Sequence, residues 1–265
     1  MDKTVALYWL KKDIRLNDNT AFLTALRQHS TVVPIFILEE TYLSAPETSI
    51  VHVNAQFQAL LDFKEKLTAE GVEPLYLYGE AVHILQKLFD LHKFAYIYSH
   101  EEIGNGLTYK RDRAVAKFCH ENGISWREMQ QTGVVRRLKN RDDWANLWKD
   151  FYGRYSESAP SSAQLRKVKI LPAWENLTER FEPLIEKIFD DKAVEELSQL
   201  SLQHVSETNA HADLYDFMHN RGVKYRGGIS SPNTALTAGS RLSVHLAFGT
   251  ISGRYVYQKV NERIA

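Results

Sequence analysis

Hydrophobic and polar positions in the first half of the chain follow two alternating periods. Short apolar runs rich in β-branched and aromatic residues, Val5–Leu10, Thr31–Leu38, Leu75–Tyr78, Phe94–Tyr98 and Ile124–Trp126, read as strands. Between them apolar residues recur at helical spacing, as in Val53, Phe57, Leu60, Leu61 and Leu67, and again in Tyr109, Val115, Phe118 and Cys119. Alternation repeated this often predicts an α/β fold, a doubly wound parallel five-stranded sheet, because each crossover helix must return over the sheet. Near-continuous apolar strands fit burial on both faces. Ligands in such sheets sit beyond the carboxyl ends of the strands, here Lys11–Asn19, Glu39–Ala45, Gly79–Glu80 and Ser99–Gly106.

Beyond about residue 130 the strand signal stops. Gln131–Arg154 reads as a loop running into a segment rich in Trp144, Trp148, Phe151 and Tyr152, and Ser156–Ala163 as a Ser/Pro/Ala linker. Pro172 and Pro183 bracket another irregular stretch. The pattern then turns helical over Leu184–Leu200 and His211–Arg221, with Leu214, Phe217 and Met218 on one side and Gly222 as the stop. Tyr225–Gly239, dense in Gly, Ser, Pro, Asn and Thr, predicts a loop. A short helix is expected over Arg241–Phe248 with Ser240 as N-cap and Gly249 past its end, and Ser252 is expected to cap a last helix beginning near Gly253. The chain thus divides into an α/β unit (1–130), a connector (131–200) and a helical segment (201–265).

Composition sharpens this picture. The 265 residues carry 33 Lys+Arg against 33 Asp+Glu and are 44% hydrophobic, which suits a folded core and excludes a disordered or uniformly basic chain. One cysteine excludes a disulfide framework and a Cys-rich zinc site. No run approaches the roughly 18 apolar residues of a membrane span. A soluble, cytoplasmic protein is expected. The charge is uneven: residues 133–169 hold nine basic and four acidic side chains, whereas 175–196 hold three and eight.

Phosphate-loop, dinucleotide-fingerprint, zinc-protease and nucleophile-elbow motifs are absent. The ten histidines are scattered and read as surface or structural residues, with no metal site among them. Cys119, at helical spacing with Val115, reads as a small core residue. Gly104-Asn105-Gly106 fits a tight turn before a helix as well as a backbone approach to a ligand. The segment Thr237-Ala238-Gly239-Ser240-Arg241-Leu242-Ser243 puts hydroxyls and an arginine at a helix start, where free amides favour an anion. An ordinary Ser cap with a helix-packing Arg accounts for the same residues.

Four stretches resemble the DNA photolyase/cryptochrome family. SRLSVHLAFGTIS (Ser240–Ser252) is similar to its flavin-phosphate segment, GTSRLSPHLxxGxxS. LYWLKKDIRLNDN (Leu7–Asn19) is similar to its first strand and turn, W-F-R-[RK]-D-L-R-x-x-D-N. GVVRRLKNRDDWANLWKDFY (Gly133–Tyr152) and YRGGISSPNTALTAGSRLS (Tyr225–Ser243) resemble a bacterial branch. The matches run in order along essentially the whole chain.

The resemblance implies a Rossmann-like antenna domain, a connector and the start of an all-α FAD-binding domain. It implies FAD held by Tyr225, Gly239, Ser240, Arg241, Leu242 and Ser243, with Thr237 standing in for a hydroxyl lost where Ala238-Gly239 replaces Gly-Thr. Val244 replaces the common proline. Asp13, Arg15, Asp18 and Asn19 are expected to be structural, as caps and an arginine pairing across the turn. A second, antenna chromophore (folate or deazaflavin) would lie near Trp9–Lys11, Glu39 and Glu101–Asn105. The implied activity is blue-light splitting of pyrimidine dimers in damaged DNA by an electron from reduced FAD, the cofactor supplying the chemistry. A cryptochrome-type photoreceptor and a stand-alone α/β nucleotide-binding module are the alternatives. In the family the helical domain continues for roughly as many residues again, carrying most of the flavin pocket and a tryptophan chain that none of Trp9, Trp126, Trp144, Trp148 or Trp174 matches. This chain alone is therefore expected to be a fragment or a shortened member that holds FAD poorly.

Overall fold

A computed structural model describes residues 2–177 and 188–264. The strands β1 (Asp2–Leu10), β2 (Thr31–Leu38), β3 (Leu75–Tyr78), β4 (Phe94–His100) and β5 (Ser125–Met129) form one sheet in the order β3-β2-β1-β4-β5, every neighbouring pair parallel. The last strand starts one residue later than its apolar run and continues to Met129, because its outer side is an open edge and polar residues are tolerated there. The order reverses between β1 and β4, which puts the crevice of the sheet beyond Leu10 and His100.

Helices cover both faces. On one, α1 (Thr20–Gln28) and α3 (Ile50–Thr68) bury Phe22, Leu26, Phe57, Leu60 and Phe63 against Tyr8, Phe36 and Tyr98. On the other, α4 (Ala81–Leu91) and α5 (Gly106–Glu121) bury Leu85, Leu88, Val115, Phe118 and Cys119 against Leu7, Ile35 and Ile97. A short α2 (Glu40–Leu43) follows β2. Side chains fix the helix starts: Asn19 accepts the Phe22 amide at 3.0 Å, and Asn105 accepts those of Leu107 and Thr108. Gly104-Asn105-Gly106 is thus the turn into α5.

The connector folds back onto the sheet. Its α6 (Trp144–Gly153) buries Phe151, α7 (Ser162–Leu165) opens on a Ser161–Gln164 capping box, and Val168 bridges to Val32 beside β2. A 3-10 turn, Pro172–Leu177, seats Trp174 in the α4 core, its indole donating to the Leu88 carbonyl at 3.0 Å. Residues 184–187 of the helix expected over Leu184–Leu200 lie outside the described residues; the rest is not one helix, because the chain is extended at Asp190, which caps α8 (Asp191–Ser198).

Three helical expectations shift. Ser206 caps α9 (Glu207–His219), which therefore starts four residues before His211, and Gly222 lies inside a following 3-10 turn, Arg221–Lys224, not at the stop. Tyr225–Gly239 is not a loop: it holds a distorted helical turn, Tyr225–Gly228, and α10 (Pro232–Ala238), whose first-turn proline suits a helix start. The next helix, α11, spans Ser243–Phe248, not Arg241–Phe248. Arg241 has φ +59°, outside the helical range, so Ser240 does not cap that helix. Gly249 follows in the left-handed region as expected, and Ser252 accepts the Tyr255 amide at 2.9 Å in the first turn of α12 (Gly253–Ile264).

The turn after β1 joins the two halves. Arg15 donates to the carbonyls of Asn17 and Asp18 and, across the joint, to that of Gly249 at 2.9 Å. Asp18, buried, pairs with the Arg254 guanidinium and takes the Ser252 hydroxyl. Glu207 at the start of α9 accepts the Leu16 and Asn17 amides and pairs with Lys66 at 2.9 Å. A Cβ on Gly249 would stand 2.1 Å from the Lys12 carbonyl oxygen, so only glycine allows this approach.

Candidate functional site

Two places concentrate chemistry. The first lies where the sheet order reverses. Lys11 leaves the end of β1 with 5% exposure, and its Nζ sits 5.2 Å from the Trp9 ring and 5.5 Å from that of Trp126. Its carboxylate neighbours, Asp112 and Glu128, stand 3.6 and 3.7 Å away, beyond hydrogen-bond reach, and burial pushes the amine below the usual lysine range. Arg111 of α5 spans the crevice from Glu39 at the end of β2 (3.2 Å) to Glu102 after β4, bonds Asp112 at 2.8 Å, and lies 5.1 Å over the Trp9 ring. Burial disfavours its charge, but these carboxylates outweigh that and hold it protonated. Burial raises Glu39 despite Arg111. Arg136 closes the cluster on Glu128, at 3.0 Å to both oxygens, and on the Glu102 carbonyl at 2.9 Å.

Beneath Arg111 the remaining space is about 40 Å³, lined by Lys11, Gln56 and Tyr42 among others. A pocket for an organic ligand needs roughly 300 Å³ or more. A folate or deazaflavin ring does not fit there with Arg111 in place. A pocket of about 460 Å³ opens outside Arg111, between Tyr42, His83 and Leu107. Of the residues expected near an antenna chromophore, Trp9, Lys11, Glu39 and Glu102 meet in this cluster; Asn105 is occupied with capping α5. Arg111, Asp112 and Arg136 were not singled out in the sequence. Asp112 had a readable signal: it falls with Val115 and Cys119 on the buried face of α5, where a carboxylate needs a partner. Cys119 is inert by contrast, its thiol pushed up to about 12 by burial.

The second place is the turn between α10 and α11, which gathers Thr237 to Ser243. Thr237 is exposed and its hydroxyl donates to the Thr234 carbonyl at 3.1 Å. The Gly239 carbonyl accepts from Arg221 Nη1 at 2.8 Å, and the Arg241 carbonyl from Gln203 Nε2 at 2.9 Å. Gln203 is held in turn by Asp213 at 2.6 Å, beside fully buried His245. The turn is therefore braced from below through its carbonyls. Ser240 Oγ accepts the Leu242 amide at 3.4 Å, and Leu242 is buried. The Arg241 Nε donates to Gln203 Oε1 at 3.3 Å; among the described residues its terminal nitrogens have no partner. Ser243 is exposed at the start of α11, whose first turn no side chain caps. Tyr225 is 46% exposed and packs edge-on to Phe217, 5.8 Å between ring centres. The structure thus brings Thr237, Gly239, Ser240, Arg241, Leu242 and Ser243 into one braced turn, with Tyr225 on a neighbouring one. This donor set suits an anion and contains no acid–base pair.

The DNA photolyase family model matches residues 6–161. The chain is 24% identical over 263 residues to the deoxyribodipyrimidine photo-lyase of Agrobacterium fabrum, covering 95% of this chain and 52% of that protein. Its fold matches an archaeal photolyase from Sulfolobus tokodaii, solved with two FAD molecules, with a TM-score of 0.75 at 22% identity over 97% of this chain and 55% of that one. It also matches a Synechocystis cryptochrome, with a TM-score of 0.75 at 18% identity over 99% and 56%. The chain spans about half the length of these proteins. At 18% it covers still less of the tomato cryptochrome DASH, to which it is 26% identical over 106 residues. The turn at 239–243 lies beyond the stretch matched by the family model.

Proposed function

This chain belongs to the DNA photolyase family, and from that premise we propose that it is the sheet-bearing part of a flavoprotein that splits pyrimidine dimers in DNA under blue light. The observation that carries the flavin reading is the braced turn at Gly239–Ser243. Arg221 and Gln203 fix its carbonyls, while Arg241 keeps its terminal nitrogens and Ser243 its hydroxyl free of internal partners among the described residues. These donors fit the pyrophosphate of FAD, charge-assisted at Arg241. Bound FAD would supply the photochemistry; the residues of this chain bind and orient its phosphate end. A second chromophore, folate or deazaflavin, is assigned to the pocket of about 460 Å³ outside Arg111.

The DNA reading is supported by Lys139, Arg141 and Lys149, which are exposed and, among the described residues, form no ion pair; such cations dominate non-specific affinity for phosphates. The photoreceptor reading draws on the cryptochrome match. A dimer-containing oligonucleotide, illuminated with blue light in the presence of reduced FAD and the protein as its gene encodes it, separates them. Loss of dimers is the expected result. Intact dimers with a photoreduced bound flavin would show a photoreceptor instead, and absence of flavin binding would overturn both.

A further inference from the structure

A further concave surface borders the crevice cluster, sharing Glu102, Asp112, Glu128 and Arg136 with it, and lies away from the braced turn. A groove of about 940 Å³ runs between α5 and the open edge strand β5, roofed by the loop around Val134–Arg137. Its volume is in the range of small-molecule sites. Three observations set it apart from ordinary surface.

It gathers exposed apolar groups. Ile103, Tyr109 and Val134 are 52, 59 and 47% exposed, and all three line this groove, with the half-buried Trp126 on its wall. Clustered exposed apolar groups mark interaction sites, whereas single ones do not.

It also holds two cations that pair with none of its carboxylates, Glu101, Glu102, Asp112 and Glu128. Around the groove Arg111 and Arg136 are each tied to carboxylates. Arg113 and Arg137 line it, yet among the described residues neither forms an ion pair or a hydrogen bond. Arg113 lies 6.0 Å over the Tyr109 ring, so a charge is already poised beside an aromatic face.

The backbone supplies the third. Arg137 has φ +58°, and it is one of three non-glycine residues with positive φ among those described. Asp18 is held in that region by the joint and Arg241 by the braced turn. At Arg137 no contact of its own side chain accounts for the strain. Its neighbour Arg136, pinned bidentately to Glu128, fixes the loop so that Arg137 stands over the groove. Strain held by a rigid anchor at a pocket is a pointer to function.

We propose that this groove binds a nucleoside monophosphate, its ring against Tyr109 and Trp126 and its phosphate taken by Arg113 and Arg137. An aromatic ring with a singly attached phosphate matches a site that pairs apolar and aromatic walls with two free guanidiniums. The reading is independent of the flavin turn, which lies on the helical half.

AMP is the probe, titrated against the whole chain with adenosine and inorganic phosphate in parallel. The readout is the Trp126 indole N–H resonance, assigned by Trp126→Phe; this proton donates to Ser99, so it reports the groove and not the flavin turn. A saturable shift with AMP is expected, with adenosine and phosphate each at least about tenfold weaker. Arg113→Gln and Arg137→Gln should each weaken AMP about tenfold while leaving the urea midpoint unchanged, both side chains being exposed. No saturable shift, equal binding of AMP and adenosine, or variants that bind like the wild type would each overturn the proposal.

Discussion

Gly249 stands where one methyl group decides whether the two halves can meet. Its φ of +68° and a virtual Cβ 2.1 Å from the Lys12 carbonyl oxygen act together, the first straining any L side chain and the second forcing the turn after β1 to move. Gly249→Ala should cost about 2 kcal/mol or more, read as a lower urea midpoint with little change in slope. A midpoint within error of the wild type would show that the joint gives way easily. The nearby pair Asp18–Arg254 is a second test at this scale. Both side chains are buried, and asparagine tolerates the left-handed backbone of Asp18, so Asp18→Asn removes the charge without adding strain. Leaving the Arg254 guanidinium buried and unpaired should cost roughly 3–5 kcal/mol. The double variant with Arg254→Met should recover part of that loss, and additive losses would contradict a paired role.

Whole elements read more reliably than the turns between them. The runs of β1 to β4 were visible because strands covered on both faces carry apolar residues at nearly every position, and that pattern survives without knowledge of neighbours. Asn19, Asn105 and Ser252 cap helices through local geometry, which is equally local in sequence. The segment from Tyr225 to Gly239 misled because Gly, Ser and Thr lower helix propensity, whereas here packing decides: a Cβ on Gly228 would stand 2.5 Å from Ala238, so small residues let two helical turns close on each other. Of the ion cluster at the crevice, Lys11, Glu39 and Glu102 were legible as strand-end residues, whereas Arg111, Glu128 and Arg136 meet them from α5, β5 and the connector through contacts that no local pattern encodes. Glu207 shows how such long-range partners couple elements to pH. Burial alone would raise its carboxyl, but Lys66 and the Asn17 and Leu16 amides hold it below the usual glutamate range. A depressed carboxylate stabilises above its unfolded value of ~4.3, and that stability is lost as pH falls through the lower folded value. Stability measured by urea should therefore fall on acidification below about pH 4.3, and Glu207→Gln should flatten that limb. An acid limb unchanged by Glu207→Gln would assign it to other carboxylates.

At the scale of the molecule, a family-type sheet is clasped to a helical segment through the turn after β1, and the family match itself ends at residue 161. The helical segment carries the braced turn and exposes Tyr225, Leu236 and Leu246. No helix among the described residues is long and apolar enough to cross a membrane. The central claim is that Gly239–Ser243 holds the phosphate end of FAD, and the most direct measurement is a titration of the purified chain with FAD, followed by flavin fluorescence. On this proposal the donors of the turn would meet only the pyrophosphate. The chain should therefore purify without a stoichiometric flavin band, bind added FAD weakly and saturably, release it to ADP, and bind it about tenfold more weakly as Arg241→Gln. FAD that ADP does not displace, or that Arg241→Gln binds as tightly as the wild type, would contradict the account.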